Sequence, residues 1–261
     1  MSESHIPRKR FGQHFLHDQG ILRRIVESIS AKPGEHIVEI GPGEGAMTLP
    51  LLRAAGKLTA IELDRDLIEP LREKARGVGE LEIINADVLT VDLSALAKGT
   101  PLRVVGNLPY NISTPILFHC IEHAASIADM HFMLQNEVVD RMAAAPGSKV
   151  YGRLSVMLQF RCSVEALLHV PPTAFRPPPK VDSAVVRLVP LPASSLPDVD
   201  TAALANVVRA AFGQRRKTLS NALRDVATAA DIEAAGIDPR SRAEQVPVAD
   251  FVRLAQRLEH D

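Results

Sequence analysis

Apolar residues along this chain follow two spacings, and the alternation between them outlines the fold. Short apolar runs at residues 36–40, 58–62, 81–85 and 102–105 are compact enough to be buried strands. Stretches with helical spacing lie between them, at 48–55 and 64–76. Runs at 130–134, 164–170 and 184–189 supply three further strands. Strands alternating with helices at this interval predict an α/β fold on a mainly parallel seven-stranded sheet, with helices on both faces. The last strands follow one another closely, so an antiparallel edge is expected there.

The pattern changes at Leu191-Pro192-Ala193-Ser194-Ser195-Leu196-Pro197, which has linker composition. Beyond it the apolar positions are helical, at 201–212, 218–227 and 248–258; Leu254 falls three residues after Phe251, and Leu258 four after Leu254. These boundaries predict a large domain over 1–191 that begins with a basic arm, and a small helical domain over 198–261. A chain of 261 residues has room for both.

Composition narrows the class. With 46% hydrophobic and 23% charged residues, the chain is neither disordered nor a coiled coil. Its net charge of −1 gives no global sign of nucleic-acid binding, so any basic face must come from clustering. Two cysteines, Cys120 and Cys162, sit among apolar residues and exclude a disulfide framework or a cysteine-rich zinc site. Residues 1–10 are charged with no apolar stretch behind them, and no window approaches 18 uninterrupted apolar residues. The expectation is a cytoplasmic protein without a secretory signal or membrane span.

Candidate chemistry begins where the first strand runs into Gly41-Pro42-Gly43-Glu44-Gly45. Glycines there allow a sharp turn and a close approach of backbone to ligand. The pattern Gly41-x-Gly43-x-x-Ala46 also satisfies the dinucleotide fingerprint, so the turn alone does not choose a cofactor. Glu62 ends the second strand, where a carboxylate can accept hydrogen bonds from ribose hydroxyls. Asp87 follows the third, placed to receive the amino group of a base. Three such strand ends imply an adenosine-containing ligand and leave NAD and S-adenosylmethionine in competition.

The fourth strand runs into Gly106-Asn107-Leu108-Pro109-Tyr110. This resembles the [Asn/Asp]-Pro-Pro-[Tyr/Phe] loop of methyltransferases that act on amino nitrogens. The lone pair of an exocyclic adenine N6 is delocalised into the ring, so the nitrogen is a poor nucleophile. The Asn107 side-chain oxygen and the Leu108 carbonyl could accept its two hydrogens and localise the lone pair. Pro109 would stiffen the loop and Tyr110 would stack on the base. An NAD dehydrogenase has no use for such a loop.

Further blocks extend the likeness through nearly the whole chain. They are Arg8-Lys9-Arg10-Phe11-Gly12-Gln13-His14-Phe15-Leu16, Tyr151-Gly152-Arg153-Leu154-Ser155-Val156, Phe175-Arg176-Pro177-Pro178-Pro179-Lys180-Val181-Asp182-Ser183, and Phe212-Gly213-Gln214-Arg215-Arg216-Lys217-Thr218-Leu219. In this order and spacing they resemble the small-subunit ribosomal RNA adenine dimethyltransferases. The resemblance implies a Rossmann-like class I methyltransferase domain with a small C-terminal helical domain. It implies N6-dimethylation of two adjacent adenosines near the 3′ end of 16S rRNA, in the small subunit or its precursor, with a part in ribosome biogenesis. The methyl donor would be S-adenosyl-L-methionine, with no metal, and the enzyme a monomer.

By the same resemblance His14, Leu16, Gly41, Glu62, Asp87 and Asn107 would contact the donor. Position 14 is often Asn in the family. Asn136 and Ser220 stand where many relatives carry Lys and Arg, which removes positive charge from the expected RNA footprint. Phe175, in a proline-rich loop, is expected to offer the flipped adenine a second aromatic face opposite Tyr110; the competing reading tucks it into the core. Arg8, Lys9 and Arg10, with Arg215, Arg216 and Lys217, form basic clusters expected to meet RNA phosphates. The alternatives are a large-subunit rRNA adenine dimethylase and an assembly factor that acts mainly by binding immature small subunits.

Overall fold

A computed structural model of the chain describes residues 14–259. In chain order it begins with β1 (Phe15–Leu16), α1 (Gln19–Ile29), β2 (His36–Ile40), α2 (Thr48–Ala55), β3 (Lys57–Glu62), α3 (Ile68–Ala75) and β4 (Glu80–Asn85). There follow α4 (Leu93–Ala97), β5 (Leu102–Asn107), α5 (Ser113–Glu122), β6 (Ile127–Gln135), α6 (Asn136–Met142), α7 (Arg153–Gln159), β7 (Cys162–Val170), β8 (Phe175–Arg176) and β9 (Ser183–Pro190). The C-terminal helices are α8 (Thr201–Gly213), α9 (Leu219–Ala222), α10 (Ala229–Ala234) and α11 (Val248–Glu259). No helix among the described residues is long and apolar enough to cross a membrane.

The seven predicted strands form one sheet in the order β4-β3-β2-β5-β6-β9-β7. Strands β4 to β6 pair in parallel, and β9 runs antiparallel to β6. The expected antiparallel edge is therefore present. From β2 the chain moves outward through β3 and β4, then returns to the other side of β2 to lay down β5 and β6. That reversal makes the gap between β2 and β5 a switch point, where the carboxyl ends of an α/β sheet leave a crevice for ligand. Ile37, Leu58 and Val105 of the strands pack with Leu22, Ile25 and Ile29 of α1 and Leu51 and Leu52 of α2 in one buried cluster. Asp18 starts α1 by accepting the Gly20 and Ile21 N–H groups at 2.9 Å each.

The amino-terminal end of β5 is pinned by charge. Arg103 donates to both carboxylate oxygens of Asp129 (2.9 and 2.8 Å), to Glu35 (2.7 Å) and to the Ile29 carbonyl (2.6 Å). These partners satisfy a guanidinium that would be costly to bury alone.

By packing, the chain divides into two compact units. The first runs to Val139 and resumes over Glu165–Pro190; the second joins Asp140–Val164 to the chain from Leu191 onward. The division thus differs from 1–191 and 198–261, because residues 140–164 pack with the helical tail. Buried Tyr151 donates to the Val246 carbonyl (3.0 Å), and its ring meets Phe212 edge-on. Gly147 N–H reaches the Glu244 carbonyl (2.6 Å), and Arg161 reaches Thr201 (2.8 Å). The helix expected over 218–227 is shorter. After Ala222 the chain turns, and the Leu223 carbonyl accepts the N–H groups of Val226 and Ala227.

Candidate active site

The strand ends singled out in the sequence open on one cavity of about 990 Å³ in the first unit, at the upper end of the range for small-ligand pockets. His14, Leu16, Gly41, Glu62, Asp87 and the Asn107–Tyr110 loop all line it. At its centre is the glycine turn after β2. Gly41, Gly43 and Gly45 have φ of +66°, +57° and +87°, a region that strains any residue with a Cβ. A Cβ on Gly43 would also lie 3.1 Å from the Phe15 ring.

Glu62, at the end of β3, is 6% exposed and tied to that turn. Its carboxylate accepts the N–H of Asp64 at 2.7 Å and that of Gly43 at 3.3 Å. Burial raises its pKa, these two N–H groups partly offset the rise, and the charge of Asp64 adds to it. Asp87 is exposed at the cavity rim, where one oxygen caps the next turn by accepting the Leu89 N–H at 3.0 Å. Its second oxygen is available to a ligand.

Glu39, which the sequence reading did not single out, is the most unusual group in the cavity wall. It is 1% exposed, and one carboxylate oxygen has no hydrogen-bond partner among the described residues. Burial pushes its pKa up to about 7, with the nearby charge of Glu62 adding to the effect. The available signal was a lone carboxylate in the otherwise apolar run Ile37-Val38-Glu39-Ile40, directly before the glycine turn. An orphaned buried acid in a cavity with two strand-end carboxylates fits a ligand that combines a nucleoside with a cationic group. Among the described residues, no group of three or more His, Cys, Asp or Glu is placed to hold a metal ion.

The Asn107 amide nitrogen donates to the His14 carbonyl at 2.9 Å, which leaves Oδ1 as the uncommitted acceptor. Leu108 N–H donates to the Met133 carbonyl at 3.1 Å and fixes the loop against β6. Gly106 allows this close packing, since a Cβ there would stand 2.7 Å from the Ile40 carbonyl oxygen. The Tyr110 hydroxyl shares a 2.5 Å hydrogen bond with buried Ser183, a partner that sequence spacing alone could not reveal. One face of the Tyr110 ring is stacked on His14, with centroids 5.6 Å apart and planes at 26°. The His14 Nδ1 lies 2.8 Å from the Pro177 carbonyl.

Three expectations fare differently. Phe175 is 1% exposed, pairs with Leu16 between β8 and β1, packs in the core and is not part of the cavity lining. The short strand pair carries its side chain inward, which is where the competing reading put it. Arg8, Lys9 and Arg10 lie outside the described residues. In the second unit, Arg215 is held within the structure, donating to the carbonyls of Lys149 (2.6 Å) and Tyr151 (3.0 Å) beside Glu244. Arg216 and Lys217 are exposed, and among the described residues their side chains have no hydrogen bond or ion pair; the Lys217 N–H donates to the Gln214 carbonyl at 2.9 Å.

A parallel sheet with its glycine turn, strand-end carboxylates and Asn-Leu-Pro-Tyr loop around one switch-point cavity defines a class I methyltransferase. Comparison with known proteins narrows the class: the ribosomal RNA adenine dimethylase profile matches residues 4–260, and the chain belongs to that family. It is 65% identical over 248 residues to the ribosomal RNA small subunit methyltransferase A of Xanthomonas campestris pv. campestris, covering 95% of each chain. The corresponding protein of Xanthomonas oryzae pv. oryzae is 64% identical over the same length. Among solved structures, a dimethyladenosine transferase from Plasmodium falciparum superposes with a TM-score of 0.78 at 27% identity, covering 92% of this chain and 96% of that one. The 23S rRNA methyltransferase ErmE superposes with a TM-score of 0.74 at 30% identity, covering 94% and 99%.

Proposed function

We propose that this chain dimethylates N6 of two adjacent adenosines near the 3′ end of 16S rRNA, using S-adenosyl-L-methionine and acting on the small ribosomal subunit or its precursor. It would do so as a cytoplasmic monomer, within ribosome biogenesis. The observation that carries the chemistry is the orientation of Asn107. With its amide nitrogen committed to the His14 carbonyl, its oxygen is the atom offered to a substrate amine. The higher identity to small-subunit methyltransferases, 65% against 30% for the large-subunit enzyme ErmE, supports the choice of ribosomal subunit.

The donor, when bound, supplies an electrophilic methyl group on a sulfonium centre. Glu62 would hold its ribose, Asp87 its adenine amino group, and Glu39 would face its cationic portion. Leu16 and the Gly41 turn would close around the remainder. Asn107 Oδ1 and the Leu108 carbonyl would accept the two N6 hydrogens of the target, drawing the nitrogen toward a pyramidal shape with its lone pair localised. Pro109 limits the motion of those acceptors, and Tyr110 would stack on the base, a contact worth about 1–3 kcal/mol. An amide has no useful basicity near neutral pH, so Asn107 positions and polarises the amine and does not remove its proton. The exposed Arg216 and Lys217, with Arg8, Lys9 and Arg10, would meet RNA phosphates.

Incubation with labelled donor and unmethylated 30S subunits, 50S subunits or naked DNA tests the reading. Label should map to two adjacent adenosines of 16S rRNA. Label confined to 50S subunits would favour the large-subunit alternative. Replacing Glu62 while keeping Arg216 and Lys217 separates catalysis from assembly: small-subunit binding should survive and methylation should not.

A further inference from the structure

We infer that the groove between α1 and α2 seats the RNA strand next to the target adenosine, with its phosphates on Arg23 and Arg53 and a flanking base on the apolar floor. The inference deepens the proposed N6-methylation and rests on it. The cavity that contains Asn107 does not end at the glycine turn. It continues between the two helices, where Leu22, Arg23 and Val26 of α1 and Leu49, Pro50 and Arg53 of α2 line it. The proposed reaction uses none of these six side chains.

Helical spacing explains the make-up of the two walls. Leu22 and Val26 are four residues apart, as are Leu49 and Arg53, so each pair stands on one face of its helix. Leu22 is buried at the floor, while Val26, Leu49 and Pro50 keep part of their apolar surface open. The Ile29 carbonyl at the end of α1 meets Arg103 at the amino end of β5 (2.6 Å), and the Ala55 carbonyl at the end of α2 meets the Gly34 N–H just before β2 (3.2 Å). Both helices therefore run from the carboxyl ends of the strands toward their amino ends, and the groove leads away from Asn107. The eight residues of α2 make a wall about 12 Å long, enough for the nucleotide that adjoins the target.

Charge selects the occupant. Arg23 and Arg53 are exposed, and among the described residues neither side chain has a hydrogen bond or an ion pair. Lys74, which also lines the cavity, is engaged with the Glu44 carbonyl at 2.9 Å. Glu27 is the acid of this stretch, four residues after Arg23, and the two arginines outweigh it. Free guanidinium groups beside an apolar floor match the parts of a single strand, phosphate on cation and base on apolar surface. A basic peptide, such as residues 8–10 of this chain, would meet like charge there. Continuity with the cavity of Asn107 favours RNA over an acidic protein segment, because a strand whose base reaches Asn107 must leave along one of the walls.

The test compares wild type, a chain with both Arg23→Ala and Arg53→Ala, and a chain with both Arg23→Lys and Arg53→Lys, on unmethylated 30S subunits over a range of salt. Exposed side chains without partners can be removed at little cost to folding. The alanine pair should lower the log–log salt slope of binding by about 1.4, at about 0.7 for each phosphate of a single strand, whereas the lysine pair should keep the wild-type slope. The loss should appear in KM for 30S subunits with kcat retained, and donor affinity measured by calorimetry should be unchanged. A photoreactive side chain in place of Pro50 should crosslink to 16S rRNA next to the methylated adenosines. An unchanged slope in the alanine pair, an equal loss of donor affinity, or a crosslink to ribosomal protein or to remote rRNA would each overturn the inference while leaving N6-methylation intact. Absence of label on 30S subunits with wild type would overturn both.

Discussion

Replacing Glu39 by glutamine measures what the fold gives up to keep a carboxylate in the cavity wall. The side chain is 1% exposed, and burial lifts its pKa from 4.5 to about 7. Between those pH values the folded chain holds a proton that the unfolded chain has released. Folding stability from this group therefore declines as pH rises from 4.5 to 7 and is level above that. At about 1.4 kcal/mol per pH unit, the whole penalty is about 3 kcal/mol. Glutamine has nearly the same shape and no charge. Glu39→Gln should thus match wild type in urea denaturation near pH 4.5 and exceed it by up to about 3 kcal/mol at pH 8. Carboxyl carbon NMR should show a signal titrating near pH 7 that the variant lacks. A stability difference that is the same at both pH values would refute the reasoning.

The same substitution has a functional counterpart. A cationic donor favours the ionised form of Glu39, so wild-type donor affinity should fall as pH is lowered from 7.5 to 5.5. In Glu39→Gln that slope should flatten, although overall affinity drops. Glu62, whose pKa burial also raises, remains in both proteins and serves as the internal control. A more stable variant that binds donor less well is the pattern expected where a binding site stores destabilisation.

Asn107→Ala should slow single-turnover methylation about 100-fold with both substrates saturating, the loss typical for one positioned polar group, whereas Asn107→Asp keeps the acceptor and measurable activity. Arg215→Ala removes two hydrogen bonds to backbone carbonyls and should cost the second unit about 1.5–3 kcal/mol, read from its thermal transition. Arg216→Ala and Lys217→Ala should leave that transition unchanged; each should lower the log–log salt slope for small-subunit binding by about 0.7–0.9. Gly106→Ala would drive a Cβ to 2.7 Å from the Ile40 carbonyl, so it should cost about 1–3 kcal/mol in urea denaturation and slow turnover by shifting the Asn107 loop.

The sheet was legible because its strands are short runs dominated by apolar residues, and all seven runs formed strands. Helix α1 was harder to see. Its buried positions Leu22, Ile25 and Ile29 are interrupted by Arg23, Arg24 and Glu27, and its start depends on the Asp18 cap rather than on an apolar signal. The assignment of residues 140–164 to the second unit was hidden for another reason. Tyr151 and Val246 are 95 residues apart, and no local spacing announces their hydrogen bond.

Within the site, residue types that look alike in sequence are separated by burial and by their partners. Phe175 and Tyr110 are both aromatics in loops with proline. One is carried into the core by a two-residue strand, while the other keeps a ring in the cavity because Ser183 holds its hydroxyl. Arg103, Arg215 and Arg216 carry the same charge. The first locks two strands through Asp129 and the second holds the backbone at Lys149 and Tyr151, so only the third keeps its guanidinium for an outside anion. Glu39, Glu62 and Asp87 line one cavity with three degrees of commitment. Glu39 has an oxygen with no partner, Glu62 is tied to the glycine turn, and Asp87 is half engaged in a cap. The least satisfied of them costs the fold most in isolation and gains most from a cation. A ligand that brought a positive charge to Glu39 while its ribose reached Glu62 would relieve the cost of burying that acid, and on the proposed reading the oxygen without a partner among the described residues would favour a cationic donor.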